Sequence, residues 1–285
     1  MNVRYLLALL FAAASSALYA QTSQNGLVFT PISDTDVSVS LDTLATKTAD
    51  VTIPESVTID GQEYTVTTIA DNAFLTDKIL ETVNFPSTLL HIGKNAFAGC
   101  TALKGVEFPE SLETIGSNAF HSEGGAGIEN LTIPGNVSEI GDSAFRSAPI
   151  ETLIIQGDSS SPLLTLGVDT FGGTRNAIKD IYISRTTPPT AVTSTFKNGD
   201  YSNTTLIVFG DAIPYENLYK TDPVWSLFTQ PIITSADMAL ADKTNAKSEY
   251  FTLGGVYLGN KPEVLRPGAY VVRTDGGKAS VVYRR

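Results

Sequence analysis

The chain has 285 residues and carries 19 Lys and Arg against 30 Asp and Glu, so its formal charge is −11 at pH 7. A surface this acidic repels nucleic acid and anionic lipid headgroups, and neither is expected as a partner. The single cysteine excludes an intrachain disulfide. Stability therefore has to come from a packed apolar core.

Residues 1–20 have the pattern of an export signal. Arg4 precedes an apolar run from Tyr5 to Ala14, and small residues then lead to Ala20. A positive start, a short apolar centre and a small-residue exit are typical of a cleaved signal peptide. A membrane anchor is the alternative, but the run is too short to span a bilayer. We predict cleavage after Ala20 and no membrane insertion of the mature chain.

Residues 21–50 alternate apolar and polar side chains in two stretches, 27–29 and 37–41, as strands do. We interpret this segment as an N-terminal cap, because the end of a repeat array needs a polar cover over its first core layer. The repeat domain is predicted to span residues 51–234. Asp60 and Gly61 predict a tight hairpin inside its first repeat.

A six-residue pattern, aliphatic-Gly-x-x-Ala-Phe, recurs through this domain in close or looser copies. The closing residues are Phe74, Phe97, Phe120, Phe145 and Phe171, which gives steps of 23, 23, 25 and 26 residues. A period of this size predicts a solenoid. We expect each Phe to stack on the next, and its burial to contribute about 1.5–3 kcal/mol. The Gly is expected at a bend with positive φ.

A second pattern runs in phase with the first and reads aliphatic-x-x-aliphatic-x-aromatic or Ile. Its copies lie at 80–85, 103–108, 128–133, 150–155 and 178–183, and Pro follows the first three. The last two apolar positions are two residues apart, so both face one side of a short strand. One such unit cannot bury its apolar side alone, but stacked neighbours share a continuous core.

Together, the two motifs resemble the BspA-like leucine-rich repeat family of secreted and surface proteins, common in Bacteroidetes. The resemblance implies a mainly β, leucine-rich-repeat solenoid with short strands, capped at both ends. It also implies a domain used for adhesion and binding rather than for catalysis.

The pattern breaks near residue 184, where a terminal cap similar to that of the same family begins. We predict a helix over residues 212–219 and expect Trp225 and Phe228 to plug the open end of the core. A sugar-stacking platform is the alternative interpretation for Trp225. Residues 235–249 lack periodicity and are interpreted as a linker.

Residues 250–285 alternate strand-like runs with Gly-containing turns, which predicts a small C-terminal β module. The module is similar to the type IX secretion sorting domain but is shorter than a full one. A small β cap or stalk is the alternative interpretation.

Catalytic and metal motifs are absent from the sequence. His91 and His121 occupy variable positions of the repeat, and the acidic residues are too sparse for a calcium loop. No zinc-protease, serine-hydrolase or phosphate-loop motif occurs. We therefore predict a protein that is not an enzyme and has no cofactor or metal. Cys100, which follows Phe97-Ala98-Gly99, is predicted to be a buried structural thiol.

The outward positions of the strands form the candidate binding surface, because a ladder of such positions can engage a long or flat partner. They are Asn84, Glu107, Asn130, Thr132, Thr152, Ile154, Asp180 and Tyr182. Ile154 and Tyr182 are expected to be exposed apolar contacts, or else to pack against the terminal cap. The longer loops at 121–127 and 156–162 are alternative binding elements, or tolerated surface variation.

The function predicted from these patterns is that of a non-catalytic binding or adhesion protein, secreted or held on the outer cell surface. Its expected partner is a host or bacterial surface protein or a glycan, and the chain is expected to be a monomer. The alternative is a glycan-binding or scaffold protein of the envelope.

Overall fold

The computed structural model describes residues 22–122, 127–173, 178–196, 201, 203–208, 212, 216–228, 233–234, 248–251, 257–259, 268–274 and 279–284. The predicted signal peptide and residues 235–247 of the predicted linker lie outside the described residues. Within the described ranges, no helix has the length and apolar character needed to cross a membrane.

Short strands dominate the described part of the chain. They are β1 (Thr22–Gln24), β2 (Leu27–Pro31), β3 (Asp36–Leu41), β4 (Asp50–Thr52), β5 (Ser56–Ile59), β6 (Gln62–Ile69), β7 (Thr82–Asn84), β8 (His91–Ile92), β9 (Thr114–Ile115), β10 (Asn130–Ile133), β11 (Glu139–Ile140), β12 (Thr152–Ile155), β13 (Thr165–Leu166), β14 (Asp180–Ile183), β15 (Thr205–Val208), β16 (Ile233–Thr234), β17 (Ser248–Phe251), β18 (Tyr257–Gly259), β19 (Gly268–Thr274) and β20 (Ala279–Arg284). Helix α1 (Glu216–Thr221) and a 3₁₀ turn at Trp225–Leu227 are the described helical elements.

Sheet one contains nine strands in the order β1-β2-β3-β6-β8-β9-β11-β13, with β5 paired to β6. Its first three strands are antiparallel and bury Phe29 and Val39, and they lie in the segment for which the N-terminal cap is predicted. From β3 onwards the strands along this order are parallel, as successive turns of a solenoid require. The predicted hairpin is confirmed: β5 and β6 pair antiparallel around Asp60 and Gly61, which both have positive φ.

Sheet two is formed by the second repeat pattern and consists of two fragments. One fragment is β4-β7, and the other has the order β10-β12-β14-β15-β16. Every pair in both fragments is parallel. Val83 is buried and Phe85 packs against the core, so the inward positions are as predicted. The intact motif at 103–108 forms no strand and separates the two fragments.

Between the two sheets the repeat phenylalanines form one stack, which confirms the prediction. The ring centroids of Phe97 and Phe120 are 5.1 Å apart, and those of Phe120 and Phe145 are 5.3 Å apart, with the rings within 8° of parallel. The stack begins at Phe74 and continues through Phe171 to Phe196. Each ring stacks on the ring of the next coil, so the apolar core is continuous along the repeat axis.

The role predicted for the repeat glycine is wrong. Positive φ occurs two residues later, at positions that Asn95, Asn118 and Ser143 occupy in successive copies. Asn and Asp tolerate this left-handed conformation better than most residues. The glycine is required for close approach instead: a Cβ on Gly141 would lie 2.5 Å from the main-chain nitrogen of Ser117 in the preceding coil.

Replacing Gly141 by Ala should therefore destabilise the protein by about 1–3 kcal/mol, because the coils would have to move apart. Gly105→Ala is the matched control: its Cβ would have no neighbour within 4 Å, and its φ is not positive. There we expect no loss, or a gain of about 0.4–1 kcal/mol. Urea unfolding of both variants provides the measurement, and equal midpoints would contradict the close-approach explanation.

The C-terminal end of the solenoid is closed as predicted by aromatic residues. The ring of Phe196, last in the stack, is 5.6 Å from Trp225 and 5.3 Å from Phe228. Trp225 is fully buried, and its indole N–H donates to the carbonyl oxygen of Pro189 at 2.7 Å, so it is not a sugar-stacking platform. The helix is Glu216–Thr221 rather than 212–219, and residues 213–215 of the prediction lie outside the described residues.

The last four strands form a separate antiparallel sheet in the order β18-β17-β19-β20. Its first strand begins at Ser248, two residues before the predicted module. The sorting role and the domain boundaries stay predictions.

Candidate binding surface

The outward positions of sheet two form two parallel rows. The parallel register aligns Asn130 with Thr152 and Asp180, and it aligns Thr132 with Ile154 and Tyr182. Asn84, Glu107 and Asn130 are exposed, whereas Thr132, Thr152 and Asp180 are partly buried. Burial raises the pKa of Asp180, against a hydrogen bond from Thr205 that lowers it. The register therefore places six of the eight predicted surface residues side by side on one face.

Ile154 and Tyr182 are not exposed contacts. Their side chains are 1% and 5% exposed, and Ile207, next in the same row, is 4% exposed. All three lie outside the main core cluster, so this row is a second apolar layer on the outer side of the sheet. Burial raises the pKa of the Tyr182 phenol. The solvent-accessible part of the rows therefore lies in the earlier repeats.

A groove of about 680 Å³ opens on those earlier repeats, at the break between the two fragments of sheet two. Its lining includes the predicted residues Asn84, Glu107, Asn130 and Thr132, together with Lys104 and Gly105. Its volume is within the usual range of ligand pockets, roughly 300–1,000 Å³. The structure thus brings four of the eight predicted residues to one groove.

Most polar side chains at one wall of the groove already have partners. Lys104 and Glu81 form an ion pair, and the hydrogen bond from Lys104 to that carboxylate raises the pKa of Lys104. Asn84 donates to the hydroxyl oxygen of Thr52 at 3.1 Å. Glu107 takes part in no hydrogen bond or ion pair within the described part of the chain. Its carboxylate is the free charge that this wall presents to solvent.

A second, smaller cavity of about 230 Å³ lies beside the loop 156–162 and is lined in part by Arg185 and Asp158. Ser160 and Ser161 donate to the Asp158 carboxylate and lower its pKa, with Ser160 the larger cause. Arg185 is 3% exposed, and its guanidinium donates to the carbonyl oxygens of Pro162, Gly135 and Val137. These bonds make Arg185 a structural tie between coils.

His91 and Cys100, which could in principle take part in chemistry, make hydrogen bonds that join neighbouring coils. His91 lies in β8 with its Nδ1 2.9 Å from the hydroxyl of Thr114 in the next coil. Cys100 is buried, as predicted, and its thiol donates to the carbonyl oxygen of Phe74 at 3.0 Å. Burial raises the pKa of this thiol to about 12. In the described ranges, no group of three or more His, Cys, Asp or Glu residues could hold a metal ion.

The described part of the chain is a mainly β solenoid with very little helix, and its architecture is that of a leucine-rich repeat protein. Residues 67–199 match the family described as the BspA type leucine rich repeat region, in six copies. The match covers slightly less than half of the chain, and it is this repeat region that is similar to the family. No protein of curated function matches the chain.

Solved structures of bacterial leucine-rich repeat proteins resemble the chain. The pneumococcal vaccine antigen PcpA is 21% identical with a TM-score of 0.55, covering 75% of this chain and 47% of its own. A leucine rich cell surface protein from Faecalibacterium prausnitzii is 18% identical with a TM-score of 0.47, covering 91% of this chain and 60% of its own. At these identities the likeness to the antigen is one of fold. This chain spans less than two thirds of either protein.

Proposed function

We propose that this chain is a non-catalytic, exported binding or adhesion protein that recognises a macromolecular partner on the exposed outer face of sheet two. The observation that carries the proposal is the pair of outward rows on this face, whose exposed polar members are Asn84 and Glu107 in one row and Asn130 in the other. Such a ladder suits a partner with a large surface, because each repeat contributes contacts without changing its neighbours.

Export is the second part of the proposal and rests on residues 1–20. The solenoid is then placed outside the cell, either released or held at the surface. Detection of the chain in the medium and on intact cells would support export, with retention in the cytoplasm as the contradicting result. Retention at the surface through the C-terminal sheet is the finer prediction, and deletion of residues 248–285 should then shift the chain to the medium.

The test of binding is a comparison of the intact chain with a variant in which Asn84, Glu107 and Asn130 are all changed to Ala. We expect the intact chain to bind to at least one member of a panel of purified matrix and bacterial surface proteins, and the variant to lose that binding. The three side chains are exposed, so the melting temperature should change little. Equal binding by the two proteins would remove the site from this face.

A glycan array probed with the same two proteins distinguishes the alternative function. Retention of the intact chain by glycans but by no protein would favour the glycan-binding role in the envelope. Retention by neither would contradict both functions.

A further inference from the structure

The break in sheet two is a local property of residues 104–108. Lys104 still donates its main-chain N–H to Glu81, at 2.9 Å. From Gly105 to Phe108, by contrast, no main-chain N–H or C=O makes a hydrogen bond within the part of the chain that the structure describes. The corresponding residues of two later coils, Thr152–Ile155 and Asp180–Ile183, are paired with a parallel strand on both sides. Four consecutive residues therefore offer free donors and acceptors.

These free main-chain groups belong to the lining of the groove. Val83 and Val106 line it although their side chains point into the core cluster, so what they offer to the groove is main chain. Gly105 adds no side chain, and a Cβ built there would have no neighbour within 4 Å. The equivalent positions hold Asp50, Thr82 and Asn130. Gly105 thus leaves open the space that a side chain would fill.

The net charge of the groove indicates which kind of peptide could bind to these free main-chain groups. The positive charge of Lys104 is compensated by Glu81, while Glu107 is exposed and unpaired. The groove is therefore net negative in a chain whose formal charge is −11. A cationic segment is attracted to such a site, and an acidic one is repelled.

We infer that the groove at Gly105 binds an extended, basic peptide segment of the partner protein. The segment lies along the groove, and its main chain forms hydrogen bonds with those free groups of Gly105–Phe108 that line the groove. A Lys or Arg of the segment pairs with Glu107, and Asn130 and Thr132 contact its polar side chains. This inference rests on the proposed function and names the chemistry of the partner at that same face.

The test uses an array of random short peptides of varied net charge, probed with the intact chain and with Gly105→Tyr. We expect basic peptides to be retained, and the tyrosine to weaken the best of them by about tenfold or more. The position accepts a side chain without strain, so the variant should fold. Thr165→Tyr is the matched control: it adds the same ring at an exposed strand position of sheet one and should leave retention unchanged.

Two further readouts separate main-chain pairing from charge. Hydrogen exchange should be fast at residues 105–108 in the free chain and slower with the selected peptide bound. Glu107→Gln should weaken the basic peptide mainly at low salt, because exposed charges are screened at high salt.

The contradicting outcomes are distinct. Retention of acidic peptides, equal retention by Gly105→Tyr, or no protection at residues 105–108 would overturn the peptide site. If glycans but no peptides are retained, and the triple Ala variant loses them, the peptide site fails while binding by the face survives. If the triple variant binds its partners like the intact chain, the proposed face itself fails.

Discussion

Replacement of Phe120 by Ala is expected to lower the free energy of unfolding by about 3–5 kcal/mol. Phe120 is almost fully buried between Phe97 and Phe145, and Phe108 contacts it edge-on at 5.5 Å. Truncation leaves a cavity in the middle of the stack. The neighbouring rings cannot move in to fill it, because each is held in place by its own coil. For a chain of this size the melting temperature should fall by roughly 6–20 °C.

Phe120→Leu is the matched variant for this experiment. Leu retains most of the apolar area but not the ring, so it isolates the contribution of the stacked pairs, about 1–3 kcal/mol for two of them. Circular dichroism melts of the three proteins provide the measurement. Coincident melts for the intact chain and Phe120→Ala would show that the stack does not support the fold.

Replacement of Arg185 by Ala is the second change expected to have a large effect, a loss of about 3–5 kcal/mol. The guanidinium donates to carbonyl oxygens in the two preceding coils: to Pro162 in the nearer one, and to Gly135 at 2.9 Å and Val137 at 2.8 Å in the one before it. The carbonyl oxygen of Arg185 also accepts a hydrogen bond from the Tyr219 hydroxyl, at 2.6 Å. Truncation leaves the carbonyl oxygens of Pro162, Gly135 and Val137 without this donor.

Two controls define the cause. Arg185→Lys retains the charge but lacks the planar fork, and it should recover only part of the loss. Arg146→Ala removes a half-exposed arginine that makes one ion pair, with its Nε 3.5 Å from the largely buried Asp169, so it should cost less than the loss of the three hydrogen bonds of Arg185. If urea midpoints of Arg185→Ala and Arg146→Ala agree, the tie between coils is not a stabilising feature.

Arg185 is also the residue that sequence patterns could least reveal. It follows the motif at 178–183 in a Ser-Arg-Thr-Thr segment that reads as an ordinary polar loop. Its partners lie 48 and 50 residues earlier for Val137 and Gly135. The local sequence contains no trace of such distant carbonyls, so only the coil geometry makes the residue recognisable.

The candidate surface was predictable where local alternation decides exposure. Asn84, Glu107 and Asn130 are exposed because the residues beside them point into the core, and a period of two fixes that relation. Ile154 and Tyr182 follow the same alternation and point outward. The alternation does not predict whether other residues cover the outer side of the strand, and here both side chains are buried. The break at Gly105 was only partly predictable. Glycine weakens a strand, but the motif around Gly105 is intact and therefore predicts a strand like the others.

The amino-acid sequence by itself determined the repeat, its period, the inward residues and the aromatic stack. Each copy has the same apolar positions, and similar coils bury these positions best when they stack in register. The tertiary structure alone decided why the glycine is required, which outward positions meet solvent, and where the ladder of sheet two opens. Those properties depend on distances between coils and on what lies over each face, and neither is a property of any single repeat.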